Sequence, residues 1–457
     1  MDCVPHRCRY RHRGGKLTVR YIEEYRTVQD FLDRVCKQVR AKPMHAEIRE
    51  ELLSHIEERA ELLMLEGNAE EPAVLEAVRQ MGEPEEIGRS LHMAHRPQLD
   101  WKLLVIVGLF SVIGLFGTMS VYYTDVIRFM QIPDRKILFF GIGIFLLIVL
   151  YFTDYRKLRR FAGMVFFSVL FLLGYVLVYG KLHGYNTGYL GIGFIGVNMI
   201  TFSLLPLLVA QAGMKPAFEW GRWEMVLNLL YRGVLPIVLY SMSNSVMYSL
   251  IYAAGFLVLT WRTKKNPRQF VLIMTLPLAS LTISLFTHME LLLIRWRDML
   301  NPLSGYNWHV GNSISAIKNA GWFGQGFGAE SPKLPYILND SVFPYLVYCF
   351  GWIFGIAVVV LTILFLIRIW KVSKTHRDLY ARHMAAMIMV VFGIRLLWPL
   401  LMGIGIAPLV SLDPPFISYG GTNQLIDLAV VGLILSIYRR KNMIPSDLGG
   451  IEAVRVK

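Results

Sequence analysis

The sequence predicts an all-α, polytopic membrane protein with about ten transmembrane helices and a small helical domain ahead of them. Apolar residues make up 54% of the 457 residues, and charged residues make up only 18%, below the roughly 25% of soluble domains. Ten apolar segments have about the length that a spanning helix needs. They lie at 101–123, 137–153, 161–179, 189–211, 225–241, 242–261, 270–287, 342–369, 384–406 and 417–438.

The basic residues predict the orientation of these segments. Lys and Arg cluster at 156–160, 262–268, 368–382 and 439–441, after the second, sixth, eighth and tenth segments. Because short cytoplasmic loops retain Lys and Arg, we expect both termini to be cytoplasmic and the loop 288–341 to be outside. No apolar core marks a cleavable signal peptide in the first 25 residues.

Charge and cysteine content exclude two other classes of protein. Residues 1–100 hold 16 Lys and Arg against 19 Asp and Glu, so the net charge of +14 comes from the membrane region. That basicity follows from topology, and nucleic acid is not an expected partner. The four cysteines lie in the expected cytoplasmic part or inside a span, so no disulfide framework is predicted.

The chain is predicted to have four parts: a disordered basic leader (1–25), a cytoplasmic helical prefix (26–96), the membrane domain (97–442) and a cytoplasmic tail (443–457). In the prefix, Ile48, Leu52 and Ile56 recur at helical spacing, and Pro84 suits the first turn of a helix. This prefix resembles the permease-prefix (HAAS-type) helical domain. A docking or sensing module and a passive folded cap both remain open.

The long loop 288–341 is where polar groups are least explained by topology, and loops of this length are usually functional. Asp340 lies at the mouth of the eighth span, where apolar surroundings would raise its pKa towards that of a useful base. The alternative is a helix cap at Asn339-Asp340-Ser341. The glycines of GWFGQGFG (321–328) are expected to let the backbone turn tightly, near a substrate or against helices.

Four motifs carry a resemblance to a known family. They are RWRDMLNP (295–302), NSISAIKNAGWFGQGFG (312–328), Asp340 eleven residues before Gly351, and GIAPLVSLDPPFISYGGTN (405–423). In order and spacing they resemble the SEDS family (shape, elongation, division and sporulation) over roughly residues 101–440. The resemblance implies a glycosyltransferase of the bacterial cytoplasmic membrane that polymerises lipid II beside a class B penicillin-binding protein. It also implies that Asp340 is the catalytic aspartate.

Such a reaction needs cations near a lipid-linked diphosphate as well as a base. Arg295, Arg297, Lys318 and Lys333 share the loop with Asp340 and are candidates for that role. The alternative is that each is a solvated or headgroup-contacting residue, which is favoured for Lys333. A divalent cation could share this role, but no carboxylate cluster specifies one, and no other cofactor is predicted.

The SYGG motif gives further candidates for substrate contact: Ser418, Tyr419, Gly420 and Gly421. Its glycines are first of all candidates for helix packing. Inside the spans lie Arg232, Arg395 and Asp427, which are costly in a membrane unless partnered. A structural ion pair between Arg395 and Asp427 is favoured over a polar substrate path.

The chain also departs from the family pattern. Residues 197–201 and 241–247 lack the family's Gln-Pro runs, Tyr348 and Cys349 stand where paired glutamates are usual, and Pro399 replaces an asparagine. Two other functions therefore remain open beside the polymerase. They are a flippase for a lipid-linked precursor and a non-catalytic scaffold of the cell-wall machinery.

Overall fold

A computed structural model describes residues 22–94, 96–124, 132–183, 188–192, 195–301, 308–330, 334 and 337–443. The leader (except 22–25), the tail beyond Met443 and Lys333 therefore lie outside the described residues. The chain divides into two compact units. One runs up to Pro97 and includes Asn442, and the other runs from Gln98 to Lys441.

The first unit is helical, as the amphipathic pattern predicts. Its helices are α1 (Arg26–Gln38), α2 (His45–Leu65), α3 (Glu70–Gln80) and α4 (Pro84–Ala94), with short 3-10 turns at Ile22–Glu24 and Lys42–Met44. Ile48, Leu52 and Ile56 are buried on one face of α2 and share a core with α1 and α3. After α2, Gly67 adopts φ +98°, the left-handed conformation that ends helices.

The second unit is a bundle of apolar helices. They are α5 (Trp101–Tyr122), α6 (Ile132–Phe152), α7 (Tyr155–His183), α8 (Met199–Gly213), α9 (Arg222–Asn228) continued through a π-helical turn (Leu229–Val234) into α10 (Leu235–Met242), α11 (Val246–Thr263), α12 (Pro267–Thr287), α15 (Val342–Thr375), α16 (Leu379–Gly403) and α17 (Gly421–Arg439). In the described residues, nine candidate spans are long and apolar enough to cross a membrane, and α8 is a shorter apolar helix. This is the predicted polytopic all-α membrane fold.

The fourth predicted span, 189–211, differs from the structure. Its first part forms a hairpin of β1 (Tyr189–Ile192) and β2 (Ile195–Asn198), and α8 begins only at Met199. Asn198 caps α8 by accepting hydrogen bonds from the amides of Ile200 and Thr201. The glycines and β-branched residues of YLGIGFIGVN favour extended backbone despite their apolar character.

Each end of the shorter α8 lies near an end of α7. It packs along α7, and Met214, just beyond its last residue, lines a cavity with Arg159 near the start of α7. Gly188 and Met199, linked by a backbone hydrogen bond of 2.8 Å, lie beyond the other end of α7. α8 therefore runs antiparallel to α7, as a shorter apolar helix beside the nine candidate spans of the described residues.

The segment between α12 and α15 contains two helices, α13 (Met289–Leu300) and α14 (Trp308–Ala320). α13 buries none of its residues, whereas α14 packs on α15. Asp340 lies just before α15, where Arg295 of α13 and Ser411 of the segment 404–420 both act on its carboxylate.

Candidate active site

Asp340 lies in the turn that precedes α15, and it is partly buried. Its carboxylate accepts a 3.4 Å hydrogen bond from the Ser411 hydroxyl and a second bond from the backbone amide of Leu412. Ser341 occupies the N-cap position of α15, but no side chain caps that helix end. The helix-cap alternative for Asn339-Asp340-Ser341 is therefore wrong, and the side chains of Asn339 and Asp340 instead bond to Asp413 and Ser411 in segment 404–420.

Asp413 is the acidic residue whose charge acts on Asp340. The Asn339 side-chain amide donates to one Asp413 oxygen at 3.1 Å, and the Asn423 amide donates to the other at 2.7 Å. Burial raises the pKa of Asp413, while Arg395 and the two amides act in the opposite direction. Two neutral amides therefore fix the orientation of this carboxylate beside Asp340.

The pKa of Asp340 is raised from 3.8 to about 6. Burial is the largest cause, because it penalises the charged form, and the negative charge of Asp413 adds to it. The bonds from Ser411 and Leu412 and the positive charge of Arg295 lower the pKa, but they do not cancel burial. A carboxylate with this pKa is ionised at neutral pH and remains basic enough to accept a proton.

The predicted cations differ in their burial and in their effect on Asp340. Arg295, on α13, is partly buried and close enough to Asp340 to act on its charge. Arg297 is exposed on the same helix, and Lys318 is exposed near the end of α14. Of the described candidates, Arg295 is the one whose charge acts on Asp340.

The SYGG motif lies beside the Asp340 turn. The Tyr419 amide donates to the Leu338 carbonyl at 2.9 Å, two residues before Asp340. Ser418 is buried, and Tyr419 is partly exposed. A Cβ added at Gly421 would overlap the ring of Phe139 on α6, so this glycine serves close packing between α17 and α6.

Lys136 on α6 binds the backbone at the SYGG motif, and the sequence analysis did not identify it as part of the site. It is only 2% exposed, and its ammonium donates to the carbonyls of Gly114 (2.7 Å), Ile417 (2.8 Å) and Ser418 (3.2 Å). The three protons of the ammonium thus have three acceptors. Just before the motif, Phe416 adopts φ +63°, a conformation uncommon outside glycine that these contacts stabilise.

Arg395 and Asp427 form the ion pair that the sequence predicts. The two guanidinium-to-carboxylate distances are 2.6 Å and 3.2 Å, and both side chains are buried. Arg395 Nε also donates to the Asp413 backbone carbonyl at 3.3 Å. The pair therefore connects α16 and α17 to the residue that flanks Asp340.

The glycine-rich segment 321–328 packs against a kink in α15. Gly351 interrupts that helix with φ +88°, and a Cβ there would overlap the Trp322 carbonyl, as a Cβ on Gly324 would overlap the Cys349 carbonyl. The Trp352 amide donates to the Gly321 carbonyl at 2.9 Å. Of the two expectations for these glycines, tight turning against a helix is the one that the structure shows.

Metal binding can be tested on the donor set. Among the described residues, no group of three His, Cys, Asp or Glu side chains is arranged to hold a metal ion. Both oxygens of Asp413 already accept hydrogen bonds from amides.

These features define a class: a multi-pass helical membrane protein with a partly buried carboxylate of raised pKa at one end of its bundle. The sequence model of the FtsW, RodA and SpoVE cell cycle proteins matches residues 97–443. The chain therefore belongs to the SEDS family, whose members are multi-pass proteins of the bacterial cell membrane.

Individual relatives cover most of the membrane unit. The probable peptidoglycan glycosyltransferase FtsW of Trichlorobacter lovleyi is 26% identical over 73% of this chain and 91% of its own length. Stage V sporulation protein E of Bacillus subtilis is 23% identical over 74% of this chain and 94% of its own length.

Two solved structures share the fold. A chain of a peptidoglycan synthase complex aligns with a TM-score of 0.60 at 21% identity, covering 75% of this chain and 98% of that chain. RodA of Thermus thermophilus aligns with a TM-score of 0.53 at 20% identity, covering 75% of this chain and 97% of that chain.

Proposed function

We propose that this protein is a peptidoglycan glycosyltransferase that polymerises lipid II at the outer face of the cytoplasmic membrane. Its relatives are named as peptidoglycan glycosyltransferases. The observation that carries the proposal is the environment of Asp340, a carboxylate with a pKa of about 6 beside Arg295 and the SYGG motif.

In the proposed reaction, Asp340 acts as the general base. It accepts the proton of a sugar hydroxyl while that oxygen forms a bond to the anomeric carbon of a second lipid-linked sugar. The bond between that carbon and the diphosphate oxygen breaks, and the undecaprenyl diphosphate leaves with the electron pair. Positioned general bases contribute roughly 10²- to 10⁴-fold to such steps.

Arg295 is the proposed partner of the leaving diphosphate. Its guanidinium can donate two parallel hydrogen bonds to phosphate oxygens, and its charge already acts on Asp340. Tyr419, whose side chain is partly exposed beside the Asp340 turn, is a proposed contact to the sugars. Arg297 and Lys318 are exposed, and we propose for them an outer role in attracting the anionic substrate.

The orientation and the partner belong to the same proposal. We propose that both termini lie in the cytoplasm, because the basic clusters follow the second, sixth, eighth and tenth predicted segments. A class B penicillin-binding protein is the proposed partner, supported by the similarity to a chain of a peptidoglycan synthase complex.

Glycan synthesis by the purified chain tests this proposal. Supplied with lipid II and a class B penicillin-binding protein from the same organism, the wild type should produce glycan strands that are resolved on a gel. Asp340→Asn should lose at least roughly a hundredfold in rate, whereas Asp298→Asn, which changes an acid on α13, should retain the wild-type rate.

Other outcomes separate the alternatives. Equal rates for Asp340→Asn and wild type would remove Asp340 from the mechanism. If the wild type makes no strands with any such partner but moves fluorescent lipid II across vesicle membranes, it is a flippase. If it does neither, the scaffold function is favoured.

A further inference from the structure

The turn that carries Asp340 is bonded to the segment 404–420 through three consecutive residues. These bonds run from the Tyr419 amide to the Leu338 carbonyl (2.9 Å), from the Asn339 side chain to Asp413 (3.1 Å) and from the Ser411 hydroxyl to Asp340 (3.4 Å). The second and third have a carboxylate as acceptor, and hydrogen bonds to ionised groups are the stronger ones. The Asn339 bond is the shorter of these two, so it is a main attachment of the turn.

Asp413, the acceptor of that bond, is itself held from two other directions. Asn423, in the first turn of α17, donates to its second oxygen at 2.7 Å. Arg395 Nε, on α16, donates to its backbone carbonyl at 3.3 Å. Two prolines follow at 414–415, and a proline restricts the backbone of the residue before it. Asp413 is therefore a fixed point to which α16, α17 and the Asp340 turn are all bonded.

The contacts of Asn339 and Asn423 with Asp413 form a continuous bridge from the Asp340 turn to α17. Each oxygen of the Asp413 carboxylate has one side-chain amide as its partner. The charges that act on the two carboxylates from other elements are those of Arg295 on Asp340 and of Arg395 on Asp413. Because Asn339 immediately precedes Asp340 in the chain, a bond that fixes its side chain also limits the movement of the next residue.

We propose that Asn339 and Asp413 are positioning residues, which hold the Asp340 carboxylate where it can accept the proton of the sugar hydroxyl. This inference rests on the proposed glycosyltransferase function. The two residues act through the backbone that joins Asn339 to Asp340, without touching the substrate. Since a misplacement of about 1 Å can cost roughly a hundredfold in rate, the bridge contributes to kcat rather than to substrate binding.

The positioning role differs from the effect of the Asp413 charge. That charge raises the pKa of Asp340 through space, whereas positioning requires the hydrogen bond from Asn339. A substitution at Asn339 removes the bond and leaves the Asp413 charge in place. The two effects can therefore be measured separately.

Asn339→Leu in the purified full-length protein tests the inference by two measurements. With lipid II and the class B penicillin-binding protein, we expect kcat to fall at least roughly tenfold, with KM for lipid II nearly unchanged. Without substrate, hydrogen–deuterium exchange of the segment 337–341 should become at least about fivefold faster. Asn319→Leu, which changes an exposed amide on α14, should leave both measurements at the wild-type value.

Exchange of donor and acceptor provides a rescue. Asn339→Asp alone places a second carboxylate against Asp413 and should lose kcat as Asn339→Leu does. Combined with Asp413→Asn, it should regain most of kcat and of the slow exchange. The amide introduced at position 413 can then donate to the carboxylate introduced at position 339, while its oxygen still accepts from Asn423.

The outcomes distinguish this inference from the proposed function. If the wild type makes no strands, the glycosyltransferase function fails, and the exchange rates alone decide whether the bridge holds the Asp340 turn. Wild-type exchange in Asn339→Leu would overturn the inference, as would faster exchange without loss of kcat in an active protein. A double variant that folds and regains neither property would also contradict it. Should Asn339→Leu not fold, the smaller change Asn339→Ala gives the same two measurements.

Discussion

The Lys136 ammonium lies 2.8 Å from the carbonyl oxygen of Ile417, a residue 281 positions further along the chain. Together with its bonds to Gly114 and Ser418, this contact joins α5, α6 and the SYGG motif inside the membrane unit. A lysine that is 2% exposed thus holds the backbone next to the candidate active site.

Lys136→Met should destabilise the protein, because it removes the ammonium that donates to the buried carbonyls of Ile417 and Ser418. Each such loss costs about 1–3 kcal/mol, so thermal unfolding in detergent should occur at a clearly lower temperature. Arg135→Met changes the neighbouring exposed residue of the same helix and should leave the melting temperature near that of wild type. Equal melting temperatures for the two variants would contradict the anchoring role.

Asp413→Asn should move the acid limb of the activity profile to lower pH. The Asp413 charge raises the pKa of Asp340, so its removal lowers that pKa, and the base stays ionised in more acidic buffer. With a pKa of about 6, roughly a quarter of wild-type Asp340 is ionised at pH 5.5. The variant should therefore retain a larger share of its maximal kcat/KM at that pH. An unchanged acid limb would show that Asp413 does not influence the pKa of the catalytic base.

Arg295→Gln should move the same limb in the opposite direction. Its positive charge lowers the pKa of Asp340, so neutralising it raises that pKa, and activity is lost at a higher pH than in wild type. Activity at pH 8 should also fall if Arg295 binds the diphosphate. Arg297→Gln is the matched control on α13 and should leave the limb in place. A shift in both variants would indicate a general surface-charge effect.

The Arg395–Asp427 pair should behave as a buried ion pair in a double-mutant cycle. Asp427→Leu alone leaves an uncompensated buried guanidinium and should cost about 3–5 kcal/mol. Replacing both residues together, as Arg395→Met with Asp427→Leu, should restore much of that loss. The cycle is measured by thermal or denaturant unfolding. Additive effects of the two single changes would argue against coupling between them.

The orientation can be checked by thiol labelling in a cysteine-free background. Lys318→Cys, on the exposed face of α14, should react with an impermeant maleimide in spheroplasts. Lys265→Cys, between α11 and α12, should react only after lysis. The reverse pattern would overturn the proposed topology.

Hydropathy and basic clusters locate nearly all of the membrane helices, because both depend only on neighbouring residues. The hairpin at 189–198 could not be separated from a helix, since an apolar run gives the same signal in both conformations. The Arg395–Asp427 pair could be predicted because each residue is conspicuous within a span.

Other parts of the candidate site depend on contacts between distant segments. Lys136 follows Asp134 and Arg135 near a helix end, where a lysine ordinarily reaches the membrane surface, and its acceptors are contributed by other segments. Asp413 could be named as an outer acid, but its position beside Asp340 depends on how segment 404–420 folds back. Arg295 and Arg297 lie two residues apart, and they face different directions only because α13 is a helix.

The packing of Gly351 against Gly324 also constrains the number of residues between Asp340 and the kink in α15. Asp340 lies eleven residues before Gly351, and nine of the intervening residues belong to α15. Gly351 cannot move past the carbonyl of Trp322. The number of helical residues between Asp340 and Gly351 therefore determines the position and the direction of the Asp340 carboxylate. One inserted residue would rotate the start of the helix by about 100° and move it by about 1.5 Å. The segment can therefore tolerate changes of residue type more readily than any change in the number of its residues.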